Sequence, residues 1–472
     1  MKTNKYDVII IGGGLGGLTC GCYLSKAGLK VLVIEKNEKA GGYCTYFERN
    51  GTSFEAGPHY IGSCSSRGIL GVYFKELGLN KIILIKPSYL ARMVFPGKIF
   101  EIPNDYSKYI TFLNDQFPCA RIESFFYNLC KVRLLPFKNK TVKKLKAIAF
   151  SDLLDSYFRN NTLKSIIASQ WWFLGLPPKQ ISAYHMSVML SSYLKDGLYV
   201  IKGGSRQITN GLTSALMRYN GELLLKASVE KVCIKNKKIS GVILNDQREF
   251  KSEIIVSGID LRYLFNNLIG KKNVSSVYLK YVNTAHTTPS VFVTYVTVKY
   301  DNMDRLSSIE GWYYSSYDHD SAVMDFYYIS VPTLYDKSGY RKDEHVIIIG
   351  CFDRTYCMTD LAWKKHKILA EEINLNRIRN KISNIDKYII SKESSSPRTY
   401  EFYTNNYRGA IYGLGMSPKQ IRENNYIFNN HGIKNIFFVG HWSEAGGGVV
   451  PVMISGKKIA KEIITDIGAN NI

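Results

Sequence analysis

A chain of 472 residues, 45% hydrophobic and 21% charged, has ordinary globular balance, which excludes disordered, collagen-like and low-complexity classes. At roughly 150 residues per domain the length suits about three units, or one large discontinuous two-domain enzyme with an internal ligand cavity. Lys+Arg 62 against Asp+Glu 39 leaves a net +23, which fits either an anionic partner or compositional drift toward Lys, Asn, Ile and Tyr.

In chain order, residues 6–11 end in a β-branched run and predict a buried parallel strand. A glycine turn follows, then a helix over Leu18 to Ala27, stopped by Gly28 at C′. Residues 30–34 predict a second buried strand ending at Glu35, so the whole reads as one βαβ unit. Residues 86–196, with apolar and aromatic side chains at helical spacing, read as mainly helical, and one helix begins at Asp152. Gly203-Gly204-Ser205 opens a helix through Arg218. Strands and turns fill 222–256. The β-prone segments 288–300, 323–331 and 345–350 predict a second sheet, followed by a helix over 362–383. A buried strand over 435–439 runs into Gly440, and a helix over 451–465 closes the chain.

The nine cysteines are irregularly spaced, with no CxxC pair and no zinc-like Cys/His cluster. Free thiols in a reducing cytoplasm are therefore expected, and no metal. Lys2 and Lys5 before Val8–Ile11 have the look of a short signal peptide, but the glycines that follow give the strand another reading. No continuous apolar run reaches the roughly 18 residues of a membrane-spanning helix.

Gly12-x-Gly14-x-x-Gly17 lies between a predicted strand and helix, and Glu35 stands 18 residues beyond Gly17. This is the dinucleotide fingerprint in its proper context. Gly12 permits the tight turn, Gly14 lets the backbone approach a pyrophosphate, and Gly17 lets helix and strand pack closely. The helix N-terminus suits phosphate charge. Glu35 would accept from ribose hydroxyls and repel a 2′-phosphate. The bland alternative is a glycine-rich structural turn. The choice between FAD and NAD turns on Gly41-Gly42, the segment Phe54–Gly62, and the closing strand into Gly440 with Gly446-Gly447-Gly448. A long flavin dinucleotide uses such a second contact site; an NAD dehydrogenase does not need one.

These pieces, together with Gly41-Gly42-x-Cys44-x-x-Phe47, Gly175-Leu-Pro-Pro178, Lys202-Gly-Gly-Ser205, Val229-x-x-Val232, Gly409-Ala-Ile-Tyr-Gly413, Gly440-His-Trp442 and Ser455-Gly456, span nearly the whole chain. They resemble the FAD-dependent phytoene desaturase, carotenoid isomerase and retinol saturase superfamily, within the wider amine-oxidase-like flavoproteins. Phe54–Gly62 is most similar to the retinol saturase branch. The resemblance implies an α/β fold: a Rossmann-type FAD-binding domain (1–85, 197–265 and 405–472) with a discontinuous α+β substrate domain (86–196 and 266–404). It implies that Gly12, Gly14, Gly17 and Glu35 bind the ADP half of FAD. Gly41 and Gly42 approach phosphates and ribityl chain, and the Val229 backbone meets adenine. Gly440 and the 446–451 turn, with Gly448 and Val449, meet pyrophosphate, ribityl and flavin. Two positions depart from the pattern: Tyr43 where Arg is frequent, and His441 where Asp or Glu is frequent.

Near the flavin the resemblance brings His59 and Tyr60, with His441 and Glu444 as a second pair. A neutral His there suits proton transfer beside hydride transfer, and equally suits plain hydrogen bonding to backbone or flavin. Pro451 fits the first turn of the last helix, whose positive end would face a reduced, anionic flavin. Trp171-Trp172-Phe173 and Phe326-Tyr327-Tyr328 suit an apolar substrate cavity or ordinary core packing. Residues 131–150 carry Lys131, Arg133, Lys138, Lys140, Lys143, Lys144 and Lys146 without an acid, among Leu134, Leu135, Phe137, Val142, Leu145 and Ile148. That pattern suits a peripheral segment on anionic lipid with apolar side chains dipping inward, or a solvated helix. No motif points to nucleic acid.

The function implied is an FAD oxidoreductase that desaturates, saturates or isomerises carbon–carbon bonds of a hydrophobic substrate. The alternatives are a flavin amine oxidase-like enzyme and a non-catalytic isoprenoid-binding chaperone of the Rab escort or GDP-dissociation-inhibitor type.

Overall fold

The computed structural model describes residues 4–118, 121–136, 138–317, 326–338, 340–341, 343–356 and 359–468. Lys2, Cys119, Phe137, Cys357 and the start of the 323–331 segment lie outside the described residues.

Val8–Ile11 and Val31–Ile34 are fully buried β-branched strands, and they pair in parallel. Between them the helix Leu15–Lys26 starts three residues earlier than the sequence predicts, because Gly16 and Gly17 are helical rather than part of the turn. It ends as expected: the N–H of Gly28 (φ +88°) donates to Ser25 O and that of Leu29 to Leu24 O, a Schellman closure. Three distant segments complete a five-stranded parallel sheet in the spatial order Glu222–Leu224, Val31–Ile34, Val8–Ile11, Ile254–Ser257, Ile436–Phe438. In chain order that is 3-2-1-4-5, and the winding reverses between Val8–Ile11 and Ile254–Ser257. Ligands of such sheets bind beyond the carboxyl ends of the strands at that reversal.

A three-stranded antiparallel sheet, Val229–Lys235, Lys238–Leu244 and Glu249–Lys251, fills the rest of the 222–256 run. A larger seven-stranded sheet runs Ile389–Ser395, Ser290–Lys299, Glu344–Asp353, Phe326–Ser330, Gly311–Tyr314, Tyr89–Phe95, Lys98–Pro103.

The last two strands correct the mainly helical reading of 86–196. Burial alternates along them, with Met93, Phe95, Phe100 and Ile102 inside, and Gly97 (φ +75°) turns the hairpin. A Pro96-Gly97 turn between period-2 segments was the signal for a hairpin. From Tyr106 onward the block is helical: Tyr106–Gln116, Ile122–Val132, Lys140–Ala147, Phe150–Tyr157, Asn161–Ala168 and Ala183–Asp196.

The last helix, Val449–Asp466, packs along Leu15–Lys26. Glycine makes the approach possible: a Cβ on Gly456 would stand 2.5 Å from Gly16 O, and one on Gly16 would stand 2.7 Å from Gly440 N. The first and last segments of the chain are thereby locked together, with both helix N-termini at one end of the parallel sheet.

The apolar side chains of the basic segment divide, with Leu134 76% exposed and others taken into the core. Val142 and Leu145 are buried in the protein core and Ile148 packs against it, because the helix Lys140–Ala147 lies on Ala183–Asp196. Arg133 is paired with Asp196 at 2.7 Å, and Lys131 sits 4.1 Å from the centre of the Tyr127 ring. Lys138, Lys140, Lys143 and Lys144 are exposed. No helix among the described residues is long and apolar enough to cross a membrane.

Candidate functional site

A cavity lies at the switch point, and thirteen of the residues singled out from the sequence line it: Gly12, Gly14, Gly17, Glu35, Gly41, Gly42, His59, Tyr60, Val229, Gly440, His441, Gly448 and Val449.

At the dinucleotide end, Gly12 turns the chain at φ +102°. A Cβ on Gly17 would stand 2.2 Å from Gly12 O, so that position holds turn and helix together. A Cβ on Gly14 would meet no protein atom within 4 Å; the space it would enter belongs to the cavity. Glu35 is fixed before any ligand arrives. Its Oε2 accepts from the Gly13 N–H at 2.9 Å, and its Oε1 accepts from Asn37 N and Nδ2 at 2.9 and 2.8 Å. Carboxylate oxygens carry further lone pairs, so acceptance from a ribose hydroxyl remains open to it. Lys36 staples this edge to the helix Pro397–Thr404 through Phe402 O and Asn405 Oδ1.

The last helix begins at Val449, two residues before the sequence reading, with Gly448 as N-cap (φ +107°). Gly440 turns at φ +78° and its N–H donates to Ser455 Oγ at 2.8 Å. Two helix N-termini, Leu15 and Val449, thus open on one cavity and favour negative charge there.

The two positions that depart from the family pattern touch each other. The Tyr43 and His441 rings stack at 5.5 Å and 15°. The Tyr43 hydroxyl donates to Ala410 O and accepts from Asn406 Nδ2, while Asn406 Oδ1 accepts from Trp442 Nε1 at 2.8 Å. Two rings held by a neutral network stand where the pattern has charged side chains. Burial pulls the His441 imidazole down from 6.5 to about 4, so it is neutral.

A stability consequence follows. As pH falls from 6.5 toward 4, the unfolded chain takes up a proton that folded His441 refuses, so stability drops through that window. His441→Phe keeps the stacking and is expected to be more acid-resistant than wild type by up to ~3 kcal/mol. Thermal unfolding followed across the window measures this; parallel wild-type and variant curves would disprove it.

The chamber beyond is aromatic. Trp172, Phe173, Tyr295, Tyr328, Tyr400 and Tyr412 line it, with Val291, Val293 and Ile411. Each aromatic run of the sequence is split. Trp172 stacks on Tyr328 at 5.2 Å in the cavity wall, whereas Trp171 packs on Phe352 and Tyr327 on Tyr313 in the core.

The loop 56–60 forms another wall. Its His59 Nδ1 lies 2.8 Å from Glu55 Oε2, and Glu55 Oε1 accepts from Ser205 N at 2.5 Å. The Tyr60 hydroxyl donates to Glu310 Oε1 at 2.8 Å, and the Tyr335 hydroxyl donates to Glu310 Oε2 at 2.5 Å. Burial raises the Glu310 carboxyl and pushes the Tyr60 phenol well above 10. Glu444 lies outside this cavity wall and pairs with Lys458 at 3.3 Å. Glu55 and Glu310 carried no separate signal in the sequence: their partners lie up to 250 residues away.

A reversing parallel sheet, a glycine turn with a fixed acid, and an apolar chamber on the same cavity define a protein with a Rossmann-like dinucleotide-binding fold. Residues 10–77 match the family model for an NAD(P)-binding Rossmann-like domain. The chain is 24% identical to a phytoene desaturase of Fusarium fujikuroi, over 100% of this chain and 91% of that one. It is 24% identical to prolycopene isomerase 2 of an Oncidium hybrid cultivar, over 99% and 85%. It is 26% identical to an inactive all-trans-retinol 13,14-reductase of Danio rerio, over 56% and 49%. Among solved structures it is similar to an oxidoreductase of Methanosarcina mazei, with TM-score 0.69 and 17% identity over 97% of this chain and 100% of that one. A putrescine oxidase variant matches with TM-score 0.68 and 16% identity over 98% and 99%. The chain is thus similar, over nearly its whole length, to phytoene desaturases and prolycopene isomerases, and over part of it to a retinol reductase.

Proposed function

We propose that this protein is an FAD-dependent oxidoreductase that desaturates, saturates or isomerises carbon–carbon bonds of a long hydrophobic substrate. The observation that carries the reading is a single cavity joining the glycine turn and Glu35 to a chamber walled by Trp172, Phe173, Tyr328 and Tyr412. The donor set fits FAD: Gly14 leaves open space beside a helix N-terminus, Glu35 awaits ribose hydroxyls, and Gly440 to Val449 supply a second contact region. Bound FAD would supply hydride transfer. The chain would supply the rest: two helix N-termini toward the phosphates, Val229 against adenine, aromatic walls that exclude water, and His59 to move a proton. This reading assigns 1–85, 197–265 and 405–472 to the cofactor and 86–196 and 266–404 to the substrate.

Two measurements test it. Denaturation should release free, non-covalent FAD. Anaerobic mixing with a panel of polyenes, lipids, amines and NAD(P)H should bleach or restore the flavin spectrum only with an apolar polyene or lipid among the substrates. Absence of flavin would return the isoprenoid-chaperone alternative. Reduction by an amine would favour the amine-oxidase alternative, which the fold likeness to putrescine oxidase keeps in view.

For so apolar a substrate the supply route is a membrane. The exposed Lys138, Lys140, Lys143 and Lys144 suit peripheral attachment to an anionic surface mainly by charge, since Val142 and Leu145 are spent on the core and Leu134 is exposed beside them. At about 1 kcal/mol per cation before screening, the binding should be strong at low salt and lost at high salt. Replacing the four lysines by Gln should release the protein from anionic liposomes in flotation; unchanged flotation would remove this segment from the account.

A further inference from the structure

We propose that Glu55 is a positioning residue that holds the His59 proton on Nδ1 and leaves Nε2 as a bare acceptor toward the cavity. The proposal rests on the reading of His59 as a proton-moving group only for its catalytic consequence; the ring state itself is a property of the fold.

The geometry is a chain of three groups. Ser205 precedes the helix Arg206–Arg218, and its backbone N–H donates to Glu55 Oε1. The other oxygen of Glu55 faces His59 Nδ1 at 2.8 Å. The approach is tight, since a Cβ on Gly204 would stand 2.3 Å from Glu55 Oε1. The Glu55 and His59 side chains are 14% and 10% exposed, so water competes little for the contact.

A backbone N–H can only donate, which fixes the role of Oε1. A carboxylate oxygen set against a bare imidazole nitrogen would oppose two lone pairs, so Nδ1 must carry the proton. A neutral ring has one proton, and Nε2 is then bare. Nε2 meets no hydrogen-bond partner among the described residues, and the residue lines the cavity. Tyr60, next in the chain, cannot take this part: its hydroxyl is turned to Glu310, which also accepts from Tyr335 and the Val331 N–H.

Replacing the carboxylate by its amide makes an unusually sharp test. Gln at 55 has one acceptor where Glu has two. Ser205 N–H can only donate, so the amide oxygen stays with it and the NH₂ faces His59 Nδ1. The imidazole must then shift its proton to Nε2. The experiment is ¹⁵N NMR of the histidine rings in the FAD-loaded full chain, at a pH where the His59 ring is neutral, with His59 assigned by its absence in His59→Phe.

The expected result is an Nδ1–H ring in wild type and an Nε2–H ring in Glu55→Gln. An Nε2–H ring in wild type overturns the proposal, as does a Glu55→Gln ring that keeps Nδ1–H. If Glu55→Gln fails to fold, the wild-type spectrum alone decides. Turnover separates this from the functional reading. Should His59→Phe turn over normally while the ring states behave as stated, the acid/base reading falls and the positioning by Glu55 stands.

Discussion

Gly14→Val should purify folded and colourless. Gly14 sits at φ −71° and ψ 172°, extended backbone in which a β-branched residue is comfortable. Its Cβ would touch no protein atom within 4 Å, so the protein itself raises no steric objection. The valine methyls would instead occupy the space between the first helix N-terminus and the Gly41-Gly42 turn, where the proposed FAD would set its pyrophosphate. Circular dichroism should match wild type, while the flavin-to-protein absorbance ratio falls to near zero. The melting temperature should fall to that of the apoprotein, because a ligand held at 1,000 times its Kd stabilises by about 4 kcal/mol.

Gly17→Val is the contrasting control. There the Cβ would stand 2.2 Å from Gly12 O, and the helix could not dock on its strand. That variant should lose fold and flavin together. A Gly14→Val protein with a full complement of FAD would overturn the assignment of this turn.

What the sequence made legible follows the range of its signals. The first βαβ unit is local: strand, turn, helix and Glu35 fit within thirty residues, and each glycine has a steric reason there. The closing turn was legible for the same reason, though the last helix begins two residues early, since Gly448 rather than Pro451 marks its entry. The hairpin Tyr89–Pro103 was missed because the aromatic spacing that follows it outweighed a Pro-Gly turn. The partner strand Gly311–Tyr314 lies some 220 residues on, and nothing local announces that pairing.

The site divides in the same way. The glycine and acid positions follow from backbone geometry that a sequence pattern encodes. The polar supports, Glu55 to Ser205 and Tyr60 to Glu310, depend on folding one half-buried loop against a helix N-terminus and the end of the distant helix Met303–Ile309. The stacking of Tyr43 on His441 links positions nearly 400 residues apart. Each looked like an isolated departure in the chain, and only their contact explains why an uncharged pair is self-consistent: one ring covers the other, and the amide of Asn406 satisfies the phenol.

His59→Ala and His59→Phe should both retain FAD and lose turnover by roughly 10²–10⁴, the usual cost of removing a general acid/base group. When a hydride leaves or joins one carbon of a double bond, the neighbouring carbon must lose or gain a proton, and carbon acids exchange slowly without a positioned partner. Three titratable side chains of the cavity wall were candidates. Tyr60 is committed to Glu310, and its phenol is pushed well above 10, so Tyr60→Phe should cost little beyond local packing. His441 is pulled down to about 4 by burial and is a weak base at neutral pH. Its ring is also stacked on Tyr43. His59 differs from both in having one nitrogen tied to a carboxylate and the other free. Alanine removes the base and opens space; phenylalanine removes the base and fills it. Equal losses in the two variants therefore report the missing nitrogen rather than a packing defect. Turnover within about threefold of wild type in both, far short of the general acid/base range, would make His59 a structural residue and move proton transfer to solvent or His441.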